Sequence, residues 1–312
     1  MLSRIAESLF WIGRYVERAE DTARILDVQT QLMLEDPGVD ESATCRTLLS
    51  IMGVDAPDDG PVSVPTTLEL LAYDAQSPVS IAAALAAARE SARRARETLS
   101  EPLWESINAT WRAIPSGRFR ALRPPATFRW VRDRAALING TADATMTRDE
   151  GWQFLVLGRS IERADMTARL VATAAIASTG PAPAWTTTLR ACGGYEAFLR
   201  AYRGQTDRQA AEFLLLDRLF PRSVVHALDR AEDALATLES TGQRAGVRDD
   251  AQRLLGRTRT DLVYRSLSDV VVNLPREMER LQHTCAAATE AITQRYFAGS
   301  EATEWHGGKV VG

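Results

Sequence analysis

The chain has 312 residues, of which 45% are hydrophobic and 25% charged, enough material for one large core or two fused ones. Its formal net charge of -4 gives no basic footprint for general nucleic-acid binding, so nucleic acid is not an expected partner. Arginine supplies the positive charge almost alone, Lys309 being the single lysine. Its planar fork suits carboxylates and phosphates, although a high-GC genome would produce the same bias.

Helical periodicity runs through nearly the whole chain, and no run of alternating strand residues interrupts it. Residues 2–34 read as a long first helix closed by Asp36-Pro37-Gly38. Its apolar stripe is Leu2, Ile5, Leu9, Ile12, Val16, Ala19, Ala23 and Leu26. Shorter helices are expected over 41–52 and 66–73, with a loop rich in Pro, Gly and Asp over 55–65. Residues 79–99 form an alanine-rich helix with Ser77 or Ser80 near its cap. Residues 101–114 continue after a break near Ser100-Glu101-Pro102, and 127–146 follow Pro124-Pro125. A second long helix over 148–178 ends at the breaker Gly180-Pro181-Ala182-Pro183. Further helices are expected over 195–203, 208–215, 223–238, 248–263 and 268–296, and the polar, Gly-rich tail from Ala298 should fray.

The apolar stretches are interrupted by Arg or Glu, so none reaches the length of a membrane span. Cys45, Cys192 and Cys285 lie far apart without metal-type spacing. Their odd number and the absence of a secretory leader fit a reducing compartment, and a cytoplasmic location is expected.

One segment occurs twice. Residues 13–26 and 158–171 are identical at eight of 14 positions at a constant offset of 145, in a pattern GR-x-x-ER-A-x-x-TAR. A generic amphipathic helix would repeat polarity, not particular charged residues. A second match follows: Asp74, Pro78, Ser80, Ile81, Ala84 and Leu85 correspond to Asp217, Pro221, Ser223, Val224, Ala227 and Leu228 at an offset of 143. Pro and Ser suit a helix start, since Pro tolerates the first turn and Ser accepts a backbone N–H. Collinear matches predict an all-α protein of two fused homologous multi-helix halves, residues 1–146 and 147–297, packed as one compact helical unit, with 298–312 as a flexible tail.

At 100° per residue, Arg14, Glu17, Arg18, Asp21 and Arg24 share one broad face opposite the aliphatic stripe. The second copy keeps Arg159, Glu162, Arg163 and Arg169 but has Met166 in place of Asp21. Three readings stay open: a solvated face of local ion pairs, a buried Glu17/Glu162–Arg network, or a pseudo-symmetric cleft. In the cleft reading Glu17 and Glu162 are the catalytic candidates as proton acceptors. Arg14, Arg18, Arg24, Arg159, Arg163 and Arg169 would bind an anionic substrate. A further anion cradle is expected at Arg89, Arg93 and Arg96, with Trp104, Asn108 and Trp111 closing one side; the competing reading is a packing stripe.

Other chemistry finds less support. A dimetal bundle needs Glu-x-x-His pairs, and no Glu lies three residues before His226, His283 or His306. No metal site and no cofactor are therefore expected. Asp229 and Asp233 have the spacing of a Mg²⁺-diphosphate motif, but as a single copy enclosing Arg230 they read as a solvated face. There is no Walker loop, dinucleotide glycine fingerprint or nucleophile elbow.

The opening stretch from Leu2 to Glu20, with Glu17-Arg18 repeated as Glu162-Arg163, resembles the bacterial alpha-E domain family. Further matching stretches are Asp74 with Pro78 to Ile81, residues 88–97, Trp104 to Asn108, and Leu157 to Arg169. Members often carry an Asn before the equivalent of Pro78, where this chain has Gln76-Ser77. The resemblance implies an all-helical fold. It also implies circularly permuted ATP-grasp ligase-like proteins as partners, with transglutaminase-like cysteine peptidases as further companions. ATP-grasp enzymes join carboxylates to amines through acyl phosphates. The implied role is a partner or substrate-handling subunit of a peptide- or amide-forming system. An independent enzyme acting through Glu17 and Glu162 on a carboxylate-bearing substrate and a purely structural adaptor are the alternatives.

Overall fold

Side-chain caps set many of the helix starts. In the computed structural model the described residues are 1–56, 60–177, 184–204, 206–239, 246–247 and 249–298. They form fifteen α-helices: α1 (Ser3–Glu35), α2 (Glu41–Ile51), α3 (Val64–Leu68), α4 (Ile81–Arg94), α5 (Glu101–Arg112), α6 (Arg118–Ala121), α7 (Pro124–Thr145) and α8 (Glu150–Ala177), then α9 (Ala184–Ala191), α10 (Tyr195–Ala201), α11 (Asp207–Leu216), α12 (Val224–Leu238), α13 (Asp250–Tyr264), α14 (Leu267–Val271) and α15 (Leu274–Tyr296). A π-helical turn, Glu69–Tyr73, follows α3, and a 3₁₀ turn, Arg96–Thr98, follows α4. No extended strand occurs among the described residues, and the fold is all-α. Asp40, Ser63, Ser80, Ser100, Thr206, Ser223, Asp249 and Ser266 each accept a backbone N–H at a helix start.

Several boundaries differ from the sequence reading for local reasons. The helix expected over 268–296 is two helices, because Pro275 sits in the first turn of α15 and brings no N–H to continue α14. Pro124 and Pro125 lie inside the first turn of α7, where proline is tolerated, so that helix begins earlier than expected. Helix α9 had no counterpart in the sequence reading. Its three consecutive threonines, Thr186, Thr187 and Thr188, are weak helix formers, and burial of Trp185 and Leu189 outweighs that preference. The breaker at 180–183, the expected helix ends at Ser178 and Arg248, and the tail beyond Ala298 lie outside the described residues.

The chain divides into two compact units. Of the described residues, the first joins Met1–Arg14 to those between Thr147 and Ala298, and the second is Tyr15–Met146. The first 14 residues thus group with the residues that follow Met146. In the first unit, α12 and α15 pack on α8, and α13 packs on both α12 and α15. Phe10, Phe154 and Phe297 meet there, with ring centroids 5.6 and 5.9 Å from Phe297. In the second unit, α5 packs between α4 and α7. Tyr73, Phe119 and Trp130 form its aromatic cluster, with centroids 5.4 and 5.8 Å apart.

Candidate functional site

The repeated signature lies in protein interior, not on a solvated face. Every residue of the α1 stripe from Ile5 onward is buried, while Leu2 is exposed. The charged side is also buried: Glu17 is 0% exposed, Asp21 5% and Glu162 2%. A carboxylate this enclosed must be compensated by partners.

The first turns of α1 cross α8 with backbones touching. A methyl group on Gly13 would overlap the Leu155 carbonyl, and one on Gly158 would overlap the Phe10 carbonyl. Glycine is therefore required at both positions by the approach itself. The two contacts mirror one another, since Phe10 and Leu155 are separated by the same 145 residues as the glycines.

Beside this crossing, Arg14 is held at three points. Its Nε donates to Glu162 Oε2 at 2.6 Å, and Nη1 donates to Thr289 Oγ1 at 2.8 Å. Its guanidinium carbon lies 5.5 Å from the centre of the Trp11 ring. Thr289 in turn donates to the Cys285 carbonyl at 2.8 Å, which fixes the α15 end of the arrangement. Charge-assisted bonds of this kind offset the desolvation of both ions. Burial pushes the nearby Cys285 thiol up, with Asp165 and Glu162 adding to the effect and Arg14 and Arg169 opposing it. The thiol stays neutral at physiological pH and is a poor nucleophile.

The remaining signature residues follow the same pattern. Arg24 pairs with Glu20 at 2.7 Å, and at the equivalent position of the second copy Arg169 pairs with Asp165 at 2.9 Å. Arg163 donates to the Pro221 carbonyl at 3.4 Å, and Thr167 donates to the Arg222 carbonyl at 2.9 Å. Arg18 and Arg159 are half-buried, and Arg159 lies 6.0 Å from the Trp152 ring centre. Met166, which stands where the first copy has Asp21, is buried as Asp21 is.

The second repeated motif is a turn with the same bonds in each unit. Ser80 donates to the Asp74 carbonyl and accepts from Ala83 N–H; Ser223 donates to the Asp217 carbonyl and accepts from His226 N–H. Asp74 Oδ1 accepts from Gln76 N–H, as Asp217 Oδ1 accepts from Leu219 N–H, each at 2.8 Å.

At the expected anion cradle the arginines separate into two kinds. Arg93 is paired with Glu90 at 2.7 Å and points into solvent. Arg89 also reaches Glu90, at 3.7 Å, but lies over the α5 tryptophans, with its guanidinium carbon 4.6 Å from the Trp111 ring centre and 5.9 Å from that of Trp104. Arg96 covers Trp104 at 5.4 Å. The Nε of Arg89 is buried without a hydrogen-bond partner, and Asn108, between the tryptophans on that helix face, makes no side-chain hydrogen bond.

Other residues that the sequence raised have the following placements. Among the described residues no group of three His, Cys, Asp or Glu is placed to share a metal. Asp229 and Asp233 both pair with Arg230 on an exposed face. His226 Nδ1 meets the Arg218 carbonyl at 2.9 Å. No helix among the described residues is long and apolar enough to cross a membrane. A cleft of about 590 Å³ between α13 and α15 falls on residues that carry no sequence motif, because its arginines recur only at ordinary helical spacing.

Residues 1–297 match the model of the Alpha-E family, described as a predicted alpha-helical domain with a conserved ER motif. Curated relatives include an uncharacterised protein of Mycobacterium bovis, 30% identical over 266 residues, covering 75% of this chain and 30% of that protein. Uncharacterised proteins from two strains of Mycobacterium tuberculosis match over the same length at 30% and 29% identity. The chain thus spans about 30% of the length of these relatives. No solved structure matches.

Proposed function

We infer the function from one premise: the chain belongs to the Alpha-E family. We propose that it is a partner or substrate-handling component of a peptide- or amide-forming system, working with a circularly permuted ATP-grasp-type protein in the cytoplasm. The observation that carries this reading is the enclosure of Glu162. A carboxylate 2% exposed and bonded to Arg14 at 2.6 Å is committed to holding helices together. At that exposure it offers a substrate little surface, so a handling role suits the signature better than independent catalysis. In the relatives the matching stretch makes up 30% of the length and lies beside other sequence, as a component of a larger system would. The Arg89–Trp104–Trp111 face, with its unpartnered Nε, is a suitable contact for an anionic substrate or partner.

Internal duplication accompanies this proposal. The mirrored glycine contacts, the Glu20–Arg24 and Asp165–Arg169 pairs, and the two serine-capped turns all support it.

The test is co-purification with the ATP-grasp-type protein. A stoichiometric complex on gel filtration, weakened by Arg89→Ala, is expected. Failure to associate both with and without ATP would overturn the partner reading. The enzyme alternative predicts that Glu162→Gln abolishes product formation while leaving the melting temperature near wild type. The proposed reading predicts a clear fall in melting temperature.

A further inference from the structure

Helices α13 and α15 pack along one another and leave a groove of about 590 Å³, within the range of small-ligand sites. Leu254, Leu262 and Leu281 give it an apolar lining. Four arginines also line it, and three of them are engaged. Arg253 meets Asp250 at 3.1 Å, Arg265 meets Asp261 at 3.1 Å and Glu277 at 3.0 Å, and Arg280 meets Glu277 at 3.1 Å. The hydrogen bonds that Arg265 donates to Glu277 and Asp261 push its guanidinium further up.

Arg257 is the fourth arginine, and it has no ion pair or hydrogen bond. Asp261, one turn further along α13, pairs with Arg265 and leaves Arg257 uncompensated. The adjacent Thr258 hydroxyl is also free, whereas Thr284 on α15 donates to the Arg280 carbonyl at 3.0 Å. Four guanidiniums therefore line the groove with three carboxylates, and the surplus positive charge stands beside an unused donor and an apolar surface.

We propose that this groove binds an aliphatic carboxylate, the free C-terminus of a peptide. Arg257 takes the carboxylate through its two-pronged fork, Thr258 donates to it, and the leucines receive the aliphatic side chain. One surplus charge matches a monoanion. A phosphate dianion would bring excess negative charge beside Asp261 and Glu277. The assignment stands independently of any ATP-grasp partner, since it needs only groups within α13 and α15.

The test is titration calorimetry of the full chain with acetyl-alanyl-leucine and with its C-terminal amide. Saturable 1:1 binding of the free acid is expected, weakened at least tenfold by Arg257→Ala or Arg257→Gln and several-fold by Thr258→Val. Arg276→Ala, an exposed arginine of α15 outside the groove, should bind as wild type. The proposal is overturned by absence of saturable binding, by equal binding of the amide, or by full affinity in both Arg257 variants. It is equally overturned if inorganic phosphate, titrated in the same way, binds as tightly as the free acid, which would make the groove a bare anion patch. Circular dichroism of each variant establishes that a lost signal is not lost fold.

Discussion

At the α1–α8 crossing, the Arg14 guanidinium is enclosed with the Glu162 carboxylate; along α13 and α15, four guanidiniums share three carboxylates in the open. The difference begins with the backbone. Gly13 and Gly158 bring two helices into contact and leave no room for water, so charge beside them must be balanced by protein groups. Across α13 and α15 the facing positions carry Leu, Thr and Arg side chains, the helices leave a groove, and solvent can tolerate an unmatched charge. The same residue types serve cohesion in one place and are available for recognition in the other.

The strongest test of this contrast is Glu162→Ala. It leaves Arg14 buried without its carboxylate and should lower stability by about 3–5 kcal/mol in urea denaturation. A loss below about 1 kcal/mol would mean the crossing is as tolerant as the groove. Next are Gly13→Ala and Gly158→Ala, each placing a methyl group against a carbonyl at a cost of about 1–3 kcal/mol. Similar losses in the two would sharpen the mirrored contact, and a large inequality would break it. Ser80→Ala and Ser223→Ala should each cost about 1 kcal/mol through lost helix caps. Arg257→Ala should change stability by less than about 0.5 kcal/mol in the same assay, since it touches no protein partner.

The smallest expected effect concerns pH at the surface. The hydrogen bond from Arg93 holds the Glu90 carboxyl below its ordinary value. Its small stabilisation is present above the unfolded carboxyl pKa and lost as pH falls through the folded one. Melting curves of Glu90→Gln against wild type should converge below that lower value. A difference that persists there would assign the effect to something other than the ion pair.

The helical class was visible in the helical periodicity, whereas Gly13 and Gly158 stood out only as equivalent positions of a repeated string, with no sign that their helices touch. Helical spacing grouped Arg89, Arg93 and Arg96 on one side of their helix, while Trp104, Asn108 and Trp111 stayed divided between a wall of that cradle and a packing stripe. The sequence left the burial of the charged face open, since an Arg–Glu pattern reads alike whether water or protein lies beyond it. The Arg14–Thr289 bond was out of reach, as Thr289 is 275 residues away and carries no motif. Arg257 was hidden for the opposite reason. An arginine four residues before an aspartate predicts an ion pair, and only geometry reveals that Asp261 turns to Arg265.

The glycine crossing also sets a schedule for synthesis. Its two halves leave the ribosome 145 residues apart, which at about 5–20 residues per second is an interval of roughly 7–30 s. Over that interval the segment around Phe10 and Gly13 has no α8 to meet, and its apolar surface must be sheltered by other means. The touch of the two backbones can close only once Gly158 has emerged, so the order of synthesis makes it a late contact for the first helix.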